Sequence, residues 1–344
     1  MPIKSFRILT TILTLISCAF FLAAILCCCS GLGTPSVKTY KVGVSVYKFD
    51  DSFMTLYRNE IASYFKSLET AAVKYDVTIM DGNSDQARQN KQVDDFISHK
   101  AAVMIINLVQ PSSADTVTQK AKAAKIPVVY INREPGEDDM QAWDKICYIG
   151  AKAQQSGTYM GEIIRDLPDH GDIDGDGTVR YAMIIGDREC SDSVYRSEYF
   201  VKALDSAGIR IKELSMGRGN FDMEKSRQVA AAALEQFGDK VDVIFCESDS
   251  MAMGAIQAIK ASGRTVGKDV YLIGADAIPE AVDAIDAGDM TATVQDDYIG
   301  QVRAAVDAAV SFINSEEVAT YVWVDYLKIT ADKPPAAKAD TVRQ

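Results

Sequence analysis

The sequence predicts an α/β protein of two successive units, each a mostly parallel sheet covered by helices on both faces. Three observations carry this. Short apolar runs alternate with longer segments of helical apolar spacing, the pattern of parallel strands buried on both sides. The alternation then restarts at Gln154 and repeats over a similar length. Finally, a short polar residue follows the apolar runs in both halves: Asp51, Asn107, Asp192, Ser248, Asp276 and Asp296. One such residue would mean little, because Asp and Asn are common caps and turn formers. Six at one topological position converge on the carboxyl edges of the sheets, where open α/β folds bind ligands.

Taken in order, 42–46 is an apolar strand and 53–75 has helical spacing. Strands at 77–80, 102–106 and 127–131 alternate with helices at 86–99 and 113–124. In the second half, helices at 154–166, 193–207, 223–237, 250–261 and 280–286 alternate with strands at 179–185, 209–216, 241–245, 270–273 and 291–294. A helix at 299–314 and strands around 321–329 close the chain. The most informative stretch is KVGVSVYKFDDSF, 41–53, where a strand ends in aromatics and carboxylates just before a helix. Asp50 or Asp51 can be read there simply as a helix N-cap, or as an acceptor beside a flat apolar face, suited to a neutral polyhydroxylated ligand.

The 344 residues suffice for two domains of ordinary size, and the net charge of −12 speaks against a nucleic-acid partner. Lys4 and Arg7 precede an almost unbroken apolar run over 8–26, followed by Cys27, Cys28 and Cys29. This is an export signal. A cleaved signal, an uncleaved anchor and a lipoprotein signal all remain readings of it, with lipid expected on Cys27, Cys28 or Cys29. Residues 30–39 read as a tether. Of the other cysteines, Cys147 and Cys246 read as small buried hydrophobes, and a Cys190–Cys246 bridge is the alternative for an exported chain.

An enzyme is not expected. The two histidines, His99 and His170, lie at a helix end and in a loop, and no nucleophile elbow, phosphate loop or GxGxxG is present. The pair Asp50 and Asp51 has nothing that places a second catalytic carboxyl across a glycosidic bond from it.

The stretch 172–179, DIDGDGTV, matches a calcium loop, with Asp172, Asp174 and Asp176 at positions 1, 3 and 5, Gly177 at 6 and the Thr178 carbonyl at 7. Position 12, normally Glu, is Met183. The competing reading is a Gly/Asp turn whose charge Arg180 partly offsets.

YKFDDSF (47–53), SDQARQNKQVD (84–94), INLVQP (106–111), IPVVYINREP (126–135), DSMAMGAIQAIKA (249–261) and GADAIPEA (274–281) together resemble the bacterial periplasmic glucose/galactose-binding proteins, within the type I periplasmic binding protein fold. The resemblance runs over nearly all of the chain after residue 40. It implies two doubly wound lobes joined by three crossings, near Ile126, Gln295 and Thr320. The lobes would be 40–126 plus 297–319 and 127–296 plus 320–335, with 1–29 a signal and 336–344 a tail. It implies a sugar site at Asp51, Phe53, Asn107, Cys190, Asp192, Arg196, Phe221, Ser248, Asp276 and Asp296. Phe221 stands where the family has Trp, Cys190 where it has His, and Ser248 and Asp296 where it has Asn. It also implies structural calcium held by Asp172, Asp174, Asp176, Thr178 and a distant acid, here Asp242. The implied role is that of a monomeric substrate-binding protein of an ABC sugar importer. D-glucose and D-galactose lead, with a pentose, inositol or signalling furanose, or a sugar-sensing receptor component, as alternatives. The expected partners are a monosaccharide, a permease in the cytoplasmic membrane and a chemoreceptor, with membrane contact only through an N-terminal lipid.

Overall fold

A computed structural model describes residues 37–332. The signal, its four cysteines, most of the tether and the 336–344 tail lie outside the described residues. By internal contacts the chain divides into Met1–Thr39 with Glu69–Lys74, and Tyr40–Leu68 with Tyr75–Gln344. In the first, the Lys38 N–H donates to the Ala72 carbonyl at 2.8 Å. Lys38 and Thr39, expected in the tether, already belong to a strand. The remaining account concerns the second unit, which holds every element below except the first two residues of β1 and of β2.

Its elements run β1 (Lys38–Val46), α1 (Ser52–Ser67), β2 (Val73–Asp81), α2 (Gln86–Ser98), β3 (Val103–Ile106), α3 (Ala114–Ala124), β4 (Val128–Ile131), α4 (Glu137–Met140) and β5 (Ile146–Gly150). They continue as α5 (Ala153–Arg165), β6 (Val179–Ile185), α6 (Ser191–Ser206), β7 (Ile211–Arg218), α7 (Met223–Phe237), β8 (Val243–Cys246), α8 (Asp249–Ala261), β9 (Tyr271–Asp276), α9 (Pro279–Asp286), β10 (Ala292–Gln295), α10 (Tyr298–Ile313), β11 (Tyr321–Trp323) and β12 (Leu327–Thr330). One sheet has the order β11-β5-β4-β3-β1-β2 and the other β12-β10-β9-β8-β6-β7. β12 runs antiparallel to β10. Each sheet is doubly wound, and its strand order reverses beside β1 or β6, the switch points at which such sheets bind ligands.

The central strands β3, β4, β5 and β8 are buried along their whole length, which is why they read as unbroken apolar runs. In the first lobe α1 and α10 pack on one face through Tyr57, Ile61, Phe65, Val302 and Val306. In the second, α8 and α9 bury Met251, Ile259, Ala281 and Ile285. Caps set several helix starts: Asp51, Asp85, Asp222, Ser248 and Asp297 each accept a hydrogen bond from a backbone N–H of the first turn.

Two expectations are corrected. The helix expected over 53–75 ends at Ser67, because the chain turns through Glu69–Ala72 into β2. The lobe boundaries also move. β4 and β5 hydrogen-bond with β3 and with each other in the first sheet, Val128 opposite Ile146. Residues 127–150 therefore belong to the first lobe, and the first crossing is at 151–152, not near Ile126. β11 still pairs with β5, Tyr321 opposite Tyr148, so the third crossing lies at 324–326 and not at Thr320. The remaining crossing is the short link from β10 to α10.

Candidate functional site

The carboxyl ends of both sheets meet at one cavity. It is lined from the first lobe by Tyr47, Asp51, Phe53, Met54, Asn132 and Arg133. From the second come Cys190, Asp192, Arg196, Phe221, Ser248 and Asp276, with Asp296 on the crossing after β10. The cavity holds about 50 Å³, room for a few waters. It shares Tyr47, Arg133 and Phe221 with an outer basin of about 520 Å³.

Both readings of Asp51 hold. One carboxylate oxygen caps α1 by accepting the Met54 N–H at 2.8 Å, and the other accepts the Tyr47 hydroxyl at 2.5 Å. Phe53 sits one step on, buried and edge-on to Tyr57 and Tyr298. Arg133 lies 3.9 Å above the Tyr47 ring, donates to the Val109 carbonyl at 2.7 Å and stands 3.6 Å from Asp187.

Across the cavity, Asp192 and Arg196 lie one turn apart on α6. The Arg196 guanidinium donates to the Ser156 hydroxyl (2.8 Å), the Glu247 carbonyl (2.5 Å) and the Tyr326 hydroxyl (3.1 Å). It thereby ties α5, the end of β8 and the segment after β11 together, and two of its five N–H groups remain for a ligand. Phe221 reaches its place because residue 186 is glycine: a Cβ there would lie 2.1 Å from the Phe221 ring. Asn132, Phe221 and Asp276 all have positive φ, 60°, 55° and 115°, backbone strain of the kind that concentrates at functional sites.

Nine of the ten expected site residues line the cavity. Asn107 does not. It is fully buried, with its amide oxygen accepting the Tyr47 N–H (3.0 Å) and its amide nitrogen donating to the Ile131 carbonyl (3.2 Å) and to Asn132 (3.0 Å). It positions Tyr47 and Asn132, which reach the cavity in its stead. Gln89 holds the same corner by donating to the Asn107 carbonyl and accepting the Val109 N–H, each at 2.9 Å. Tyr47, Met54, Asn132 and Arg133 were missed, although Tyr47 and Asn132 stand at the ends of the first and fourth apolar runs. The Cys190–Cys246 bridge is not made: both thiols are free and buried. Burial pushes the Cys190 thiol up to about 12, so it stays protonated.

Burial also raises the Asp192 carboxyl, against the opposing pull of Arg196 and Arg133. It lifts Asp296 to about 7, where Arg196 opposes and Asp192 adds. It raises Asp276 well above the ordinary range, with neighbouring Asp249 adding to it. Such carboxyls hold protons in the folded chain that the unfolded chain has already released, so they contribute stability at low pH and lose it as pH rises through the folded value. The melting temperature is expected to fall between about pH 4 and pH 7, and Asp296→Asn to flatten that fall. A slope unchanged in the variant would show that Asp296 does not titrate there.

The acidic loop lies apart from the cavity. One carboxylate oxygen each from Asp172, Asp174 and Asp176 fall within 4.8 Å of one another, and one Asp172 oxygen is buried without a partner. Asp242 is not in that group: it is fully buried and accepts the Arg180 backbone N–H at 2.7 Å. The Arg180 guanidinium lies on the intended ligands, paired with Asp176, 3.4 Å from Asp174 and 3.4 Å from the Thr178 carbonyl. In this arrangement the Arg180 guanidinium lies against three of the five expected ligands, and Asp242 stands outside the group formed by the other three acids. A chelator is expected to leave the melting temperature of the wild-type chain unchanged. Arg180→Ala should lower it and make it respond to added calcium. A chelator-sensitive wild type would contradict this arrangement.

Among the described residues no helix is long and apolar enough to cross a membrane. A model of the periplasmic binding protein domain family matches residues 42–317. The chain is 32% identical over 270 residues to the D-galactose/methyl-galactoside binding periplasmic protein of Haemophilus influenzae, covering 77% of this chain and 79% of that protein. It is 25% identical over 285 residues to the ribose import binding protein of Bacillus subtilis, covering 82% and 84%. The crystal structure of the Caulobacter myo-inositol binding protein bound to myo-inositol superposes with a TM-score of 0.75 at 26% identity, covering 88% of this chain and 96% of that one. The chain therefore belongs to the periplasmic binding protein family, with its two-lobed type I fold, and is a binding protein, not an enzyme.

Proposed function

We propose that this chain captures a monosaccharide between its lobes and delivers it to an ABC permease in the cytoplasmic membrane. The observation that carries the reading is the cavity itself. Planar carboxylates and a guanidinium that can each engage two hydroxyls converge from both sheets, and Phe53 and Phe221 supply aromatic faces. The ligand would touch both lobes, so it would bind the closed form best and shift the population toward it. The cavity is lined from both lobes, so ligand entry and release would involve motion at the three crossings.

A pyranose of the glucose/galactose class is the first candidate, supported by the galactose-binding relative. The ribose and myo-inositol proteins support a pentose or cyclitol as the second. In this reading the N-terminal signal exports the chain, and a lipid on one of Cys27, Cys28 or Cys29 holds it at the membrane. Thermal melting with a panel of hexoses, pentoses and cyclitols tests the proposal. A true ligand at 100 times its Kd stabilises by about 2.7 kcal/mol, a shift of several degrees. No shift with any member would overturn it.

A further inference from the structure

The cavity is short of positive charge. Four carboxyl groups line it, Asp51, Asp192, Asp276 and Asp296, against two guanidiniums, Arg133 and Arg196, so ionising all four would leave two negative charges uncompensated, and Asp192, Asp276 and Asp296 are held toward their protonated forms in the empty cavity. Two more acids, Glu247 and Asp249, are fully buried beside it. Both guanidiniums are partly spent on the protein: Arg196 on three oxygens, Arg133 on a carbonyl and on Asp187.

The four carboxylates differ in what they still need. Asp51 accepts with both oxygens. Asp249 is likewise satisfied, by Thr293 at 2.7 Å and the Ile278 N–H at 3.0 Å. Asp296 accepts the Gln301 amide with one oxygen only. Among the described residues, no protein group donates a hydrogen bond to the carboxylates of Asp192 or Asp276, which face the cavity. The acceptors left open therefore belong to three acids that repel one another. The neutral donors nearby are weak or engaged: Cys190 is a thiol, and Ser248 caps α8.

A buried charge left without a partner is costly, and a charge-assisted hydrogen bond is the strong way to satisfy it. A neutral sugar brings hydroxyl donors but no charge. A protonated amine brings three donors and a charge against which one of these acids can ionise. We propose that the ligand is a monosaccharide or cyclitol bearing a protonated amine, held against the open oxygens of Asp192, Asp276 and Asp296, in preference to its neutral parent. This rests on the sugar-binding reading above and names the class of sugar.

The test is calorimetric titration of the chain at pH 7 with D-glucosamine, D-galactosamine and an aminocyclitol, each against D-glucose, D-galactose or myo-inositol as parent. The N-acetylated hexosamines are the uncharged controls. At least one amine should bind tenfold or more tighter than its parent, and acetylation should remove the gain. Asp296→Asn should bring the amine-to-parent ratio toward one, the ratio and not the absolute affinity being the readout. Parents that bind as tightly as the amines, or a ratio that survives Asp296→Asn, would overturn the amine preference and leave the sugar-binding reading standing. No binding by any member would overturn both.

Discussion

Replacing Arg196 by Met is expected to cost about 3–5 kcal/mol of folding stability, the largest effect of any single site change considered for this chain. The guanidinium is only 4% exposed and holds three oxygens from three separate segments. It is also a cation facing Asp192, Asp276 and Glu247, so its removal leaves those buried acids without compensation. Arg196→Lys should recover little, because an ammonium carries the charge but not the planar fork that spans Ser156, Glu247 and Tyr326. Denaturant unfolding of the two variants measures both effects. A loss under about 1 kcal/mol for the Met variant would show that the network is ornamental.

Asp276→Asn is expected to separate binding from stability. A carboxylate that engages two ligand hydroxyls contributes charge-assisted bonds, and their loss should weaken binding by about 10- to 100-fold. The fold should gain. Burial raises this carboxyl, no group among the described residues donates to it, and Asn tolerates the positive φ at this position better than most residues. The melting temperature should therefore hold or rise while ligand affinity falls. Calorimetric titration and thermal melting on the same preparation read the two together. Unchanged affinity would mean that Asp276 lies outside the site, and a large fall in melting temperature would mean a structural role.

The site was legible where function and local chain chemistry coincide. Asp51, Asp192, Ser248, Asp276 and Asp296 each follow an apolar strand run by a few residues, so the edge of the sheet could be read directly from the chain. Asn107 met the same criterion and fails it in space, because its amide is consumed by the Tyr47 N–H, the Ile131 carbonyl and Asn132, while Gln89 holds its backbone carbonyl. Arg133 was hidden for the opposite reason: its reach across the Tyr47 ring depends on tertiary placement that no local pattern signals. The strand β5 was missed because only the four-residue α4 stands between it and β4, so the strand–helix rhythm lapses there. That one omission displaced the first crossing by about 25 residues. In the acidic loop, 172–178 matches a calcium loop in residue type, and the placement of the Arg180 side chain against Asp174 and Asp176 is a tertiary detail that the spacing does not signal.

The most direct test of the central claim is calorimetric titration of the chain with the neutral and aminated monosaccharide panel, repeated with Asp276→Asn. The predicted result is one-to-one binding of at least one member, with a negative heat-capacity change from closure over apolar surface and the weakened affinity described above in the variant. Absence of binding by every member, or binding that Asp276→Asn leaves untouched, would contradict a sugar site between the lobes.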